Sequence, residues 1–383
     1  MKRLNILYIS LLITLPFILF SNCNNSTSNK GDGNSSKVNI YYKNGVKHIV
    51  NPNQPIYGES KFKRSEPLYI TVDKVDGIIA DDKGAIYILD VSNSQILKFD
   101  NKGNLLFKMG SRGEGPDQFM DLYDFFFSPD KAFQVLDYMN IKTFDTNYKL
   151  DKQLKLPVYF DKVFTNAAGN ICGIARIYKN TRERVRSVVV IDRNHNIKTL
   201  DEFPYPPVGI IHTPDGDVSN YVGHYYVPSI FACQIDSNFF LYAYSQRYVI
   251  NIVNADGSIS SVIEKNEPET FISSSEKEWV TEEALSRKHN VSDSIVRKSI
   301  FFPDRKPFFN KIIVDDKGWI YVQRLSTFQE REKKFLFDVF NREGIFIYRL
   351  TLDFSPEFIK NGYMYYYREQ EENFLIVRER LKL

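Results

Sequence analysis

From about residue 38 to the end of the chain, apolar and polar residues alternate in short bursts, and small polar turns separate the bursts. One such passage is Asp81-Asp82-Lys83-Gly84-Ala85-Ile86-Tyr87-Ile88, and it returns almost unchanged as Asp315-Asp316-Lys317-Gly318-Trp319-Ile320-Tyr321-Val322. Period-two alternation bounded by Gly, Asp and Asn predicts strands joined by hairpins. Fainter copies of the turn occur at Ser128-Pro129-Asp130-Lys131, Asn166-Ala167-Ala168-Gly169 and Asp236-Ser237-Asn238. A second strand–turn–strand signature follows each copy, as in "LKFDNKGNLLFKM" and "FDVFNREGIFIYRL". Aligning Asp100, Asp145, Asp192, Asn254 and Asn341 puts Gly103, Tyr148, His195, Gly257 and Gly344 at one turn position. That position suits a residue at positive φ, with the leading Asp or Asn bonded to the turn backbone. His195 therefore reads as a turn residue and not as a ligand.

Each unit amounts to two linked hairpins, a four-stranded antiparallel sheet. The aligned markers lie 45, 47, 62 and 87 residues apart, and the shorter spacings match the period of propeller blades. The longer ones require insertions, one over about 204–227 and one over about 266–307. In the second, "SSSEKEWVTEEALSRKHN" predicts a helix capped by Ser274 or Ser275, and a shorter helix follows over about 292–299. Five units are accounted for this way, and "NGYMYYYREQEENFLIVRERLKL" supplies two or three strands of a sixth. Closing the ring calls for a strand from the chain start, and both "VNIYYKNGVKHIV", a hairpin about Asn44-Gly45, and "PLYITVDKV" are available. The expected fold is all-β: a six-bladed β-propeller of four-stranded antiparallel blades over 38–383, with a short helical insertion between blades 4 and 5.

Composition agrees with strands: aromatic residues make up 15% of the chain, with 30 Phe and 24 Tyr against 5 Met. A net charge of +3 gives no basic excess of the kind nucleic-acid partners require. The start of the chain differs in kind. Met1-Lys2-Arg3, an apolar run from Leu4 to Phe20 and then Ser21-Asn22-Cys23 form an export signal over 1–22. The segment resembles a bacterial lipoprotein signal, which implies lipidation of Cys23. The Ser-, Asn- and Gly-rich residues 23–37 then read as a flexible tether. Cys172 and Cys233 lie in apolar strand-like runs, where a small buried thiol is the ordinary occupant.

"IYILDVSNSQILKFDNKGNLLFKMGSRGEGPDQF" resembles the NHL repeat, and the chain as a whole looks like the six-bladed β-propeller lipoproteins of Bacteroidetes. The resemblance implies an exported, lipid-anchored propeller and carries no settled activity. It also makes Ser111–Phe119 the link from the outer strand of blade 1 to the inner strand of blade 2. Arg112 and Glu114 remain candidates for a polar contact there, with backbone N–H groups able to form an anion nest.

Candidate chemistry is sparse. Among five histidines, His212 and His224 fall in the first insertion and, with Asp215 and Asp217, make a weak candidate metal site. No nucleophile elbow, P-loop or dinucleotide fingerprint is present, and no catalytic residues or cofactor are expected, a metal ion aside. Tyr205, Tyr221, Tyr225 and Tyr226 of the same insertion offer rings for stacking, so a ligand surface is expected there together with Arg112. The expected role is a binding or scaffold module in the bacterial envelope, anchored to the outer membrane and taking a glycan or an envelope protein. The alternative is a propeller hydrolase or lyase with a channel metal.

Overall fold

In the computed structural model the described residues are 37–62, 65, 67–179, 184–204, 210–213, 216–219, 226–286, 292–325 and 334–381. Cys23, Tyr205, Asp215, Tyr221, His224 and Tyr225 lie outside them. Six sheets surround a central channel, and each begins at its inner strand. Blade 1 comprises Gly77–Ala80, Ile86–Asp90, Gln95–Phe99 and Leu105–Met109. Blade 2 runs from Leu122–Phe127 to Leu150–Lys155, blade 3 from Tyr159–Thr165 to Ile197–Pro204, and blade 4 from Ile230–Gln234 to Ile259–Lys265. Blade 5 runs from Phe309–Val314 to Phe346–Leu352, and blade 6 from Phe358–Lys360 through Tyr363–Glu369 to Phe374–Arg380.

The chain start supplies the missing strand and more. Four N-terminal strands, β1 (Asn39–Lys43), β2 (Val46–Asn51), β3 (Glu59–Lys61) and β4 (Leu68–Val72), run past three successive blades. β4 pairs antiparallel with Phe374–Arg380 and completes blade 6. "PLYITV" is thus the closing strand. The β1–β2 hairpin instead joins the outer edge of blade 4, with β2 parallel to Ile259–Lys265, while β3 lies parallel to the outer strand of blade 5. Asn51 anchors this belt: its buried side chain donates to the Gly344 carbonyl at 2.9 Å and accepts from the Phe346 N–H at 2.8 Å. The Asn44-Gly45 turn has positive φ at both positions, 52° and 79°, as a two-residue hairpin requires.

In blades 1 to 3 the leading Asp closes the repeated turn in the same way. In blade 3 the Asp192 carboxylate accepts from the N–H groups of Asn194 and Asn196 at 2.8 and 2.9 Å, and His195 takes φ of 63°. Tyr148 occupies the same position in blade 2 at 60°. The Asp side chain closes the turn, so a non-glycine residue is tolerated in the left-handed region.

Every inner strand starts on the face that also carries both insertions, here termed the insertion face; the Asp-led turns lie on the opposite, turn face. On the insertion face α1 (Ser274–Ser286) and α2 (Asp293–Ser299) lie between the sheet ending at Lys265 and the sheet starting at Phe309. The capping residue of α1 is Ser273, one earlier than expected. Its Oγ accepts from the Glu276 N–H at 3.3 Å, and the Glu276 carboxylate accepts from the Ser273 N–H at 2.9 Å, a reciprocal capping box. Among the described residues no helix is long and apolar enough to cross a membrane.

Candidate functional site

The six inner strands enclose a cavity of about 660 Å³ that runs along the ring axis. Its middle is apolar, with Ile79, Phe126, Phe164, Ile235, Ile313 and Ile359 in the lining. At the insertion-face end, charged residues sit at the start of the inner strands: Asp76, Asp124, Lys162, Lys311 and Glu357, with Phe231 in blade 4. Neighbouring blades pair four of these charges across their boundaries. Lys162 lies 2.8 and 3.0 Å from the Asp124 carboxylate oxygens, and Lys311 donates to Glu357 at 2.6 Å, to Ser355 Oγ at 3.0 Å and to the Pro356 carbonyl at 3.2 Å. Burial works to lower the pKa of the Lys162 ammonium, but the adjoining Asp124 carboxylate outweighs it and the net direction is upward. The side chain is enclosed by the ring yet 43% exposed, so it faces channel water.

Beside this mouth Asp161, at a bulge in the inner strand of blade 3, accepts from Arg176 Nε at 2.5 Å and lies 2.9 Å from Arg186 Nε. A recess of about 360 Å³ opens next to them, lined by Asp161, Lys162, Arg186, Ser229, Phe231 and Cys233 among others. Cys233 and Cys172 are free thiols. Burial pushes them up to about 11 and about 12, so neither is a ready thiolate near neutral pH. At the turn-face end Lys131 and Lys360 lie 2.8 and 2.7 Å from Asp82 and hold its carboxyl down at about 2.

Tyr226 is no ligand residue: it is only 5% exposed and sits beneath α1 with Ile272 and Val280. Its hydroxyl donates to Glu276 at 3.2 Å, and Lys306 reaches the same carboxylate at 2.5 Å, so the residue binds one insertion to the other. His212 and Asp217 are register partners in the backbone of a two-stranded hairpin, 210–213 with 216–219. Among the described residues no three His, Cys, Asp or Glu side chains converge as a metal site.

Arg112 is exposed on the blade 1–2 link but does not line the channel. The Gly113 N–H donates to the Phe119 carbonyl at 3.1 Å and the Gly115 N–H to Gln118 Oε1 at 3.0 Å. Those two donors are used inside the loop and are not free for an anion nest. Phe119 is fully buried among residues of both blades, a placement that contributes about 1.5–3 kcal/mol. A Cβ on Gly110, at φ of 102°, would stand 2.5 Å from the Phe119 ring. The link is structural.

The charges of the mouth, Asp161 and Arg176 were not singled out in the sequence. Their only signal was one or two charged residues near the start of an otherwise apolar strand, as in "LYDFFF", "YFDKVF" and "FNKIIV".

Six blades, their shared turns and the closing strand define an architecture, and the sequence profile described as a 6-bladed beta-propeller matches residues 71–295. The chain belongs to this six-bladed β-propeller family. Among solved structures, a member of the DUF4221 family from Bacteroides vulgatus superposes on the propeller with a TM-score of 0.51 at 11% identity, over 84% of this chain and 98% of that one. That likeness concerns the fold alone. A protein from Bacteroides fragilis gives 0.49 at 13% identity, over 88% and 100% of the chains. The virginiamycin B lyase from Staphylococcus aureus gives 0.38 at 11%, over 83% and 100%. No curated protein matches the propeller by sequence.

Proposed function

We propose that the protein is an exported propeller, tethered to the outer membrane through a lipidated Cys23, that binds a glycan or an envelope protein at the channel mouth on its insertion face. The observation that carries this reading is the built character of the mouth. Ion pairs between blades 2 and 3 and between blades 5 and 6 hold charged side chains at the rim of an apolar cavity of about 660 Å³. Concave sites of this size, apolar within and with a few fixed polar groups at the opening, suit ligand recognition. The basic start, apolar run and Cys23 support export and anchoring, and residues 23–37 supply the tether.

Two measurements test the reading. Radiolabelled palmitate is expected to label the full chain and not Cys23→Ala, which should appear in the soluble fraction; labelling of both would contradict the anchor. For binding, the full chain in detergent is mixed separately with the polysaccharide and the protein fractions of the envelope. One fraction should raise its Tm, because a ligand of the folded state stabilises it. Lys162→Glu, which sets a third carboxylate beside Asp124 and Asp161, should abolish the rise. No rise with either fraction contradicts the reading.

A further inference from the structure

Four tyrosines gather on the insertion face where blades 2 and 3 meet the channel. Tyr123 stands near the start of the inner strand of blade 2, and Tyr138 sits at φ of 56° in the middle turn of that blade. Tyr159 opens the inner strand of blade 3, and Tyr178 ends its second strand. Tyr138 and Tyr159 meet edge-on, their ring centroids 5.3 Å apart and their hydroxyl oxygens 2.6 Å apart. Tyr159 stands opposite Arg176 in the strand ladder, and Arg176 opposite Arg186. The Arg176 guanidinium carbon lies 6.0 Å from the centroid of the Tyr123 ring.

Three of the four rings are open to solvent. Tyr87, Tyr321, Tyr365 and Tyr366 are almost fully buried, whereas Tyr123, Tyr138 and Tyr178 are 37%, 39% and 59% exposed. Tyr123 and Tyr159 flank the Arg176–Asp161–Arg186 group, in which Arg176 donates to Asp161, and the recess that Asp161 and Arg186 line with residues of blade 4 is within the size range of small-ligand sites. A hydrophobic peptide calls for a continuous apolar groove, and here charged side chains interrupt the rings. A pyranose has the matching surfaces: an apolar C–H face that stacks on an aromatic ring and a rim of hydroxyls that both donate and accept.

We propose that this patch is a glycan-binding subsite, in which Tyr123 and Tyr178 stack on pyranose rings while Asp161, Arg176 and Arg186 bond their hydroxyls. The proposal rests on the binding-module reading above and assigns its ligand to the carbohydrate class. It is tested by isothermal titration of the full chain in detergent with cellohexaose, xylohexaose, maltohexaose and a galacturonate hexamer. At least one should bind with a Kd below about 1 mM. Tyr123→Ala and Tyr178→Ala should each weaken it by about tenfold or more, as central aromatic contacts do, at unchanged Tm. Tyr178→Phe keeps the ring and should retain binding, which separates loss of stacking from loss of fold. Binding of none of the four sugars, or binding untouched by both alanine variants, overturns the proposal. If no sugar binds but an envelope protein crosslinks at the mouth, the carbohydrate assignment falls and the binding-module reading stands; if nothing engages the insertion face at all, both fall.

Discussion

Lys142 holds an ammonium group inside the protein, 2.9 Å from the equally buried Asp137 carboxylate, and donates to the Gln118 carbonyl at 2.5 Å. One side chain thus fastens the blade 1–2 link to blade 2, with the Phe119 ring 5.4 Å from its nitrogen. Removing one partner of a buried pair leaves the other charge without compensation. Lys142→Met is expected to cost about 3–5 kcal/mol in urea unfolding. Adding Asp137→Leu should cost less than the sum of the two single changes, because the stranded charge is then gone. Equal additivity would show that the pair is not coupled. Asp82 makes the opposite case, an exposed carboxylate between two lysines. Its folded pKa of about 2 lies below the ordinary 3.8, so its contribution is present above about pH 4 and is lost as pH falls through about 2. Because Asp82 is 54% exposed, solvent screening keeps that contribution under about 1 kcal/mol. The Tm difference between the native protein and Asp82→Asn should shrink across that window; a difference that grows on acidification would contradict the ion-pair account.

At the scale of elements, the turns were the legible part. An Asp or Asn followed three residues later by Gly, Tyr or His marks the same turn in five blades because the side chain that closes the turn is local. Both helices were legible for the same reason, although the cap fell on Ser273 instead of its neighbours. The belt was not. Whether "VNIYYKNGVKHIV" or "PLYITVDKV" closes the ring depends on pairings with partners more than 200 residues away, and no local propensity encodes them. The charged mouth was equally hidden, since one Asp or Lys near the start of a short apolar strand says nothing about which blade stands beside it. Tyr226 misled for a related reason: a tyrosine in a Tyr-rich insertion reads as surface until the helix above it is placed. The belt yields a graded prediction. Deletion through Lys61 removes β1 to β3 but leaves β4, whereas deletion through Val72 also opens blade 6. The longer deletion should cause a much larger fall in Tm, and equal falls would refute closure by β4.

For the whole molecule, the ring has two unlike faces. The turn face is made of short Asp-led turns, repeated from blade to blade. The insertion face carries the helices, the paired charges of the mouth and the exposed tyrosines of blades 2 and 3. If the protein is a binding module, contact should be made through the second face. Photocrosslinking in intact membranes compares them directly, with a benzophenone amino acid placed at Met120 on the insertion face or at Asn194 on the turn face, both exposed. Adducts from position 120 and none from 194 are predicted; adducts from 194 with none from 120 would contradict the assignment of the insertion face as the binding surface.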